Sequence, residues 1–342
     1  MWERAIPIFD RTILIAFGLG IGLTNTVSSQ PLELMLPIDC TLGETCWIAR
    51  YMDRASGKNK ADYRAGPQTQ DKHKGTDFAV QDMGAMERGI NALAAADGII
   101  LRKRDNMPDT AVNGVNKKEI EGKECGNALI VEHMGGWQTQ YCHLKQGSIT
   151  VKIGDSVNAG SPLAQVGLSG LTEFPHLHFM VRQMRTSQSS LDIDPFDGGV
   201  FETPPSGGIQ NDSLWQALPK YSETVMLPPL ITTTRTNRRT MWQAQKSIDA
   251  TTAEALIIQA RGFHTRKGDE WRFSLIMPDG KTRTLKTIVQ ARNRQLIQAY
   301  AGIKKPAKDF MPGVWSGEVK LVRDGKVLDS RSSTVNVTRS TD

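Results

Sequence analysis

The sequence predicts an all-β protein in two domains, the first built from hairpins and the second a smaller β-sandwich. Three observations carry that expectation. Short alternating apolar and polar runs, separated by turn residues, recur from His73 to about Arg182, the pattern of half-buried strands. A second series follows from about Ala255, with Asp279-Gly280 and Asp324-Gly325 as hairpin turns. Between the two, Gly198-Gly199 and the Thr203-Pro-Pro-Ser-Gly-Gly208 stretch read as a linker.

Taken in order, the chain opens on what reads as an export signal over 1–29. Arg4 and Arg11 stand near the start, 12–23 is uncharged and mostly apolar, and Val27-Ser28-Ser29 offers small residues for cleavage. That run is shorter than the ~20 residues of a membrane-spanning helix, although with 24–29 included an uncleaved anchor is the alternative. Residues 30–70 form an irregular lead-in with no sustained period. The first domain, 71–198, carries strands at 126–132, 137–143, 148–151, 163–166 and 176–181. Within it 86–96 has helix-forming composition, and Gly98 with Ile99-Ile100-Leu101 returns the chain to a strand. Asp192-Ile-Asp-Pro-Phe196 closes this domain before the linker at 199–215. The second domain, 216–342, places strands at 255–260, 270–277, 283–291, 313–323 and 326–337, a size usual for a sandwich. A chain of 342 residues with 39% hydrophobic content can bury a core in each domain.

Cysteine and charge narrow the setting. Cys40, Cys46, Cys125 and Cys142 can pair completely in an oxidising compartment, which suits an exported, periplasmic or envelope-associated protein. Of the three pairings, the local one is preferred. Cys40 and Cys46 bracket a short turn, and Cys125 and Cys142 lie on runs flanking Met134-Gly135-Gly136. Their spacing lacks the paired Cys-x-x-Cys knuckles of a structural zinc site. From Gln216 onward 22 Lys+Arg face 11 Asp+Glu, a charge of +11 that leaves −5 for the rest of a +6 chain. A cationic module on an exported protein suggests an anionic polymer or membrane surface as partner, against the plain reading of a soluble basic face. Nucleic acid is not an expected partner.

Five side chains carry the chemistry: His73 and Asp77 in His-Lys-Gly-Thr-Asp, His143 in Tyr-Cys-His-Leu, and His176 and His178 in Pro-His-Leu-His-Phe. Together they supply three metal ligands and two spare imidazoles, the needs of a hydrolytic zinc site. Strand periodicity puts His176 and His178 on one face, with Leu177, Phe179 and Val181 on the core side. His73 and Asp77 are an even number apart, which places both on one side of an extended segment with Phe78 turned inward. Two histidines and a carboxylate suit zinc and leave a fourth position open. Such an ion keeps net positive charge, polarises a carbonyl and activates water. No His-Glu-x-x-His helix supplies a glutamate base, so His143 and His176 are the candidates for taking the water proton and stabilising the oxyanion. Strand parity puts Tyr141 on the face of His143 and Cys142 on the other, with the disulfide beneath the site. His133 and His264 are assigned structural roles.

The ordered set His-x-x-x-Asp, Tyr-x-His-Leu, Gly154-Asp-Ser-Val-Asn-Ala-Gly160, Gly167-Leu-Ser-Gly170 and Pro-His-Leu-His-Phe resembles the lysostaphin/LytM-type zinc metallopeptidases, which cleave peptide bridges of bacterial cell walls. The resemblance covers about 72–196. It implies a compact antiparallel β peptidase domain and one Zn2+ per chain held by His73, Asp77 and His178. It also implies His143 and His176 as catalytic residues and peptidoglycan stem peptides as substrate. Asn127, Tyr141 and Ser169 occupy motif positions that make them candidate substrate contacts. Among bonds, the stem-peptide cross-link following D-alanine comes first, then a glycine bridge, then a non-wall peptide. A non-catalytic periplasmic regulator or wall-binding protein is the alternative. The turn at 154–160 also looks like that of lipoyl or biotinyl carriers, but neither a modifiable hairpin-tip lysine nor long heptads accompany it.

Overall fold

The computed structural model describes residues 32–112, 117–205 and 212–339. The expected export signal lies outside the described residues, as does 206–211 of the expected linker.

The segment expected as an irregular lead-in supplies the first strand, β1 (Cys46–Arg50), whose Cys-Trp-Ile-Ala run is buried. It pairs antiparallel with β2 (Thr76–Val80), Ile48 opposite Phe78. Asp82 then caps the helix α1 (Met83–Arg88), its side chain accepting from the Ala85 N–H. Gly89, with φ +89°, ends it. The helix-forming composition at 86–96 therefore yields a short helix shifted toward the N-terminus, followed by β3 (Asn91–Leu93) and β4 (Gly98–Arg104).

β5 (Asn127–His133) and β6 (Trp137–Leu144) are joined by a turn in which Gly135 and Gly136 take φ of +75° and +74°, a region glycine enters without steric cost. β7 (Ser156–Val157), β8 (Pro162–Gln165), β9 (His176–Thr186) and β10 (Ser189–Ile193) complete the domain. The strand expected at 148–151 does not form. That stretch is held instead by separate bonds, Ser148 N–H to the Lys145 carbonyl and Thr150 N–H to that of Leu163. The main sheet runs β1-β2-β9-β6-β5-β4-β7 with β10 on β9, while β3 and β8 pair separately. Leu129, Val131, Tyr141, Leu177, Phe179 and Val181 point from it into one core with Phe78 and Trp215.

The second domain contains β11 (Val225–Thr232), β12 (Ser247–Asp249), β13 (Ala255–Thr265), β14 (Glu270–Ile276), β15 (Thr282–Thr284), β16 (Ile288–Val289), β17 (Arg294–Lys304), β18 (Gly313–Arg323) and β19 (Lys326–Thr338). It is a sandwich of a β11-β13-β17 sheet against a β12-β19-β18-β14-β15 sheet, with β16 on β14. Ile231, Leu256 and Ile258 of one sheet share a core with Trp271, Phe273 and Val319 of the other. β11 precedes the strands expected from the sequence in this domain, and Pro228-Pro229 interrupts its alternation. The prolines are accommodated because β11 is an edge strand with a register shift between Leu227 and Leu230. The expected strand at 283–291 divides into β15 and β16.

The two domains share a third core. Trp47, Ala49, Ala79 and Phe174 of the first pack with Val225, Leu227, Met241, Trp242 and Phe263 of the second. Polar bonds cross the same boundary. Met83 N–H donates to the Trp242 carbonyl at 2.8 Å, His264 Nε2–H to the Ala49 carbonyl at 2.6 Å, and the wholly buried Arg261 guanidinium to the Gln81 carbonyl at 2.9 Å. Burying one side chain such as Phe263 contributes roughly 1.5–3 kcal/mol, so this boundary is a packed interior rather than a tether.

Candidate active site

Five of the sequence-derived residues meet in one groove of about 990 Å³: His73, Asp77, His143, His176 and His178. Asp77 comes from β2 and pairs in register with His178 of β9, which brings a carboxylate and an imidazole together across two adjacent strands. His73 precedes β2 in a turn rather than an extended segment, so its approach to Asp77 arises from loop geometry and not from strand parity. Its Nδ1–H donates to the Tyr51 carbonyl at 2.7 Å. A carbonyl can only accept, so the lone pair of His73 lies on Nε2, facing the site.

Three donor atoms then converge. His73 Nε2 is 2.9 Å and His178 Nδ1 is 2.8 Å from Asp77 Oδ1, and the two nitrogens are 3.1 Å apart. All lie within 4.8 Å of one another. Two imidazole nitrogens and one carboxylate oxygen directed at a common point form the donor set that zinc takes, so these residues fit the ion. Burial opposes ionisation of Asp77, but His73 and His176, with hydrogen bonds from His176 and His178, hold its carboxyl well below the usual range. His178 is lowered, chiefly by burial.

His143 reaches the site by a route that strand parity does not predict. Opposite Asn127 and Leu129 the partners are Leu144 and Tyr141, so β6 carries one extra residue at Cys142-His143, a β-bulge. His143 takes φ +60° there. The bulge lets consecutive residues, Cys142 and His143, face the groove. Cys142 stands opposite His178, and the Cys125–Cys142 disulfide lines the groove instead of lying beneath it. The other disulfide joins Cys40 and Cys46. His143 Nδ1–H donates to the Ser169 carbonyl at 2.8 Å, and burial, with His176 and His178 nearby, keeps its imidazole neutral well below the ordinary histidine range. His176 Nδ1–H donates to the Phe174 carbonyl at 2.9 Å, and its Nε2 lies 3.3 Å from Asp77 Oδ1. The His143 and His176 ring centroids are 4.7 Å apart.

The three candidate substrate contacts are placed differently. Tyr141 stands opposite Phe179 in the core, its hydroxyl accepting from the Ala95 N–H at 2.8 Å. Burial pushes its phenol up to about 12. Asn127 is buried and spends its amide on the backbone of Met107 and Leu144. Ser169 is buried, accepting from the Asn127 N–H and donating to the Leu144 carbonyl. None of the three lines the groove. The bulge reverses the facing expected for Tyr141, and Asn127 and Ser169 shape the turn that holds His143. His133 is also away from the groove, tied to the Asp97 carbonyl and the Thr139 hydroxyl.

Residues outside the sequence motifs also line the groove. Arg50, at the end of β1, places Nη1 3.2 Å from Asp77 Oδ2 and its guanidinium 5.3 Å over the Phe174 ring. The strand-length apolar run 46–49 before it is the signal that could have marked it. The second domain also lines the groove, through Arg238 and the segment from Asn293 to Leu296.

The sequence profile of Peptidase family M23 matches residues 71–192. Cell division protein DipM of Caulobacter vibrioides is 32% identical over 119 residues, 34% of this chain and 18% of that protein. Peptidoglycan DD-endopeptidase ShyB of Vibrio cholerae is 32% identical over 111 residues, 32% of this chain and 20% of that protein. The chain thus matches about a fifth of the length of these relatives. Among solved structures, the catalytic domain of lysostaphin from Staphylococcus simulans is 21% identical, covering 42% of this chain and 84% of that one with a TM-score of 0.26.

Proposed function

We propose, from the match of residues 71–192 to Peptidase family M23, that the protein is a zinc-dependent endopeptidase that hydrolyses peptide cross-links of bacterial peptidoglycan. One observation carries the reading: three converging ligand atoms and two separately oriented imidazoles open into a single groove. His73, Asp77 and His178 would hold one zinc ion, which supplies Lewis acidity toward the scissile carbonyl and a lowered pKa for water. The remaining work falls to side chains of this chain. His143, neutral and fixed at Nδ1 by Ser169, presents Nε2 as a proton acceptor. His176, fixed at Nδ1 by Phe174, presents Nε2 from the adjacent wall. Between them a proton can be taken from the nucleophile and returned to the leaving amine.

The stem-peptide bond following D-alanine is the proposed target, in keeping with the DD-endopeptidase name of the relative ShyB. The two disulfides support an exported, envelope setting, and the +11 charge of 216–342 supports contact with an anionic wall polymer. Digestion of purified peptidoglycan, read by product mass, tests the proposal. Cross-linked dimers are expected to become monomers, with activity lost in His178→Ala and on chelation and restored by zinc. Intact cross-links with folded, zinc-loaded protein would instead favour a non-catalytic regulator.

A further inference from the structure

The catalytic loop is gripped from behind by the second domain. Phe174, in the 172–176 turn, contacts His176 with its ring tilted and stacks on Trp242, with Phe263 and the Arg50 guanidinium also against the ring. Its ring centroid is 4.6 Å from that of His176 at an interplanar angle of 31°, and 5.2 Å from that of Trp242 at 25°. The Phe174 carbonyl also anchors His176 Nδ1–H, so displacement of Phe174 moves the imidazole through both ring and backbone. Trp242 is itself locked. Its carbonyl accepts from Met83 N–H, and the buried Arg261 guanidinium lies 5.0 Å over its ring. From the same loop, Arg238 Nη1 meets both oxygens of Glu173 at 3.1 Å. The sandwich therefore holds two consecutive residues of the turn that carries His176.

Trp242 Nε1 is buried without a hydrogen-bond partner among the described residues, as are those of Trp47, Trp215 and Trp271, so its contacts at the site are those of its ring. We propose that the C-terminal sandwich is a structural half of the endopeptidase site, with Trp242 as a positioning residue that fixes His176 through Phe174. This rests on the endopeptidase reading above. The aromatic contact adds to the polar contacts of His176 Nδ1 with the Phe174 carbonyl and the Thr172 hydroxyl and limits tilting of the ring, and misplacing a reacting group by about 1 Å can cost on the order of 100-fold in rate.

The test compares Trp242→Phe and Trp242→Leu in the full chain, because both remove volume and only one keeps a ring. Steady-state hydrolysis of a soluble cross-linked muropeptide is measured beside zinc content, thermal melting and the NMR shifts of the His176 ring protons. Trp242→Leu is expected to lower kcat by about 10-fold or more with KM unchanged, and to move the His176 resonances while zinc content stays the same. Trp242→Phe is expected to remain near wild type in both readouts. Unchanged kcat and unchanged His176 shifts in both variants, whatever the melting temperature, would overturn the proposal. Equal losses in both would overturn it too, as general damage to a core. Should the wild-type chain fail to hydrolyse the substrate, the endopeptidase reading falls, and the His176 shifts still decide whether Trp242 positions that ring.

Discussion

Asp77 concentrates the electrostatics of the site in one buried carboxylate. Oδ1 faces three imidazoles and Oδ2 faces Arg50. A carboxylate so deeply buried is retained as an anion only because cationic and hydrogen-bonding partners surround it. Arg50 occupies the oxygen that the imidazoles leave free, the arrangement by which outer residues orient a metal ligand. Arg50→Ala is therefore expected to weaken zinc binding by roughly 10–100-fold, measured by competition with a chelator, with the far-UV circular dichroism unchanged. Undiminished affinity would show that the guanidinium does not orient the ligand. At this scale the histidines and Asp77 were legible because their types and spacings are local. Arg50 was not, since only its pairing across β1 and β2 brings it to the carboxylate.

Two strands show where periodicity holds and where it fails. In β9 the alternation of His176 and His178 with core-facing Leu177 and Phe179 follows the period of two. In β6 the bulge at Cys142-His143 inserts a residue, and every facing beyond it changes. That is why Tyr141 faces the core and the disulfide faces the groove. β13 carries a testable consequence of its docking. Burial lowers the His264 imidazole to about 4, opposed in part by its bond to the Ala49 carbonyl. The unfolded chain titrates near the ordinary value of about 6.5 and takes up the proton first. Stability from this group is complete above pH ~6.5 and falls as pH drops toward 4, by about 3 kcal/mol at most. Asp194, raised to about 8 mainly by burial, acts with opposite sign between pH ~4 and 8. The informative quantity is thus the difference between wild type and His264→Gln in denaturant unfolding. The variant is expected to lose less stability between pH 6.5 and 4, and parallel curves would show that His264 is not the titrating group.

The described residues form one packed unit on the two sides of the expected linker. Residues 199–205 remain attached to the first domain through Arg54, which donates to the Val200 and Thr203 carbonyls. The aromatic core between the domains then joins the sandwich to β1, β2 and the His176 turn. A chain ending at Thr203 would expose Trp47, Ala79 and Phe174 to water. Thermal unfolding should show it to be markedly less stable than the full chain and to bind a hydrophobic dye. Wild-type melting and hydrolysis from that truncation would show the sandwich to be dispensable. The amino-acid sequence by itself determined the all-β character and the order of the candidate site motifs, and it favoured the local one of three disulfide pairings, which the structure contains. Each of these depends on residues close in the chain, where spacing and alternation record the backbone geometry directly. Only the tertiary structure decided that Arg50 supports Asp77, that Trp242 backs Phe174, and that His143 turns into the groove. The first two depend on contacts between segments distant in the chain, and the last on a bulge defined by a partner strand, so no local pattern encodes them.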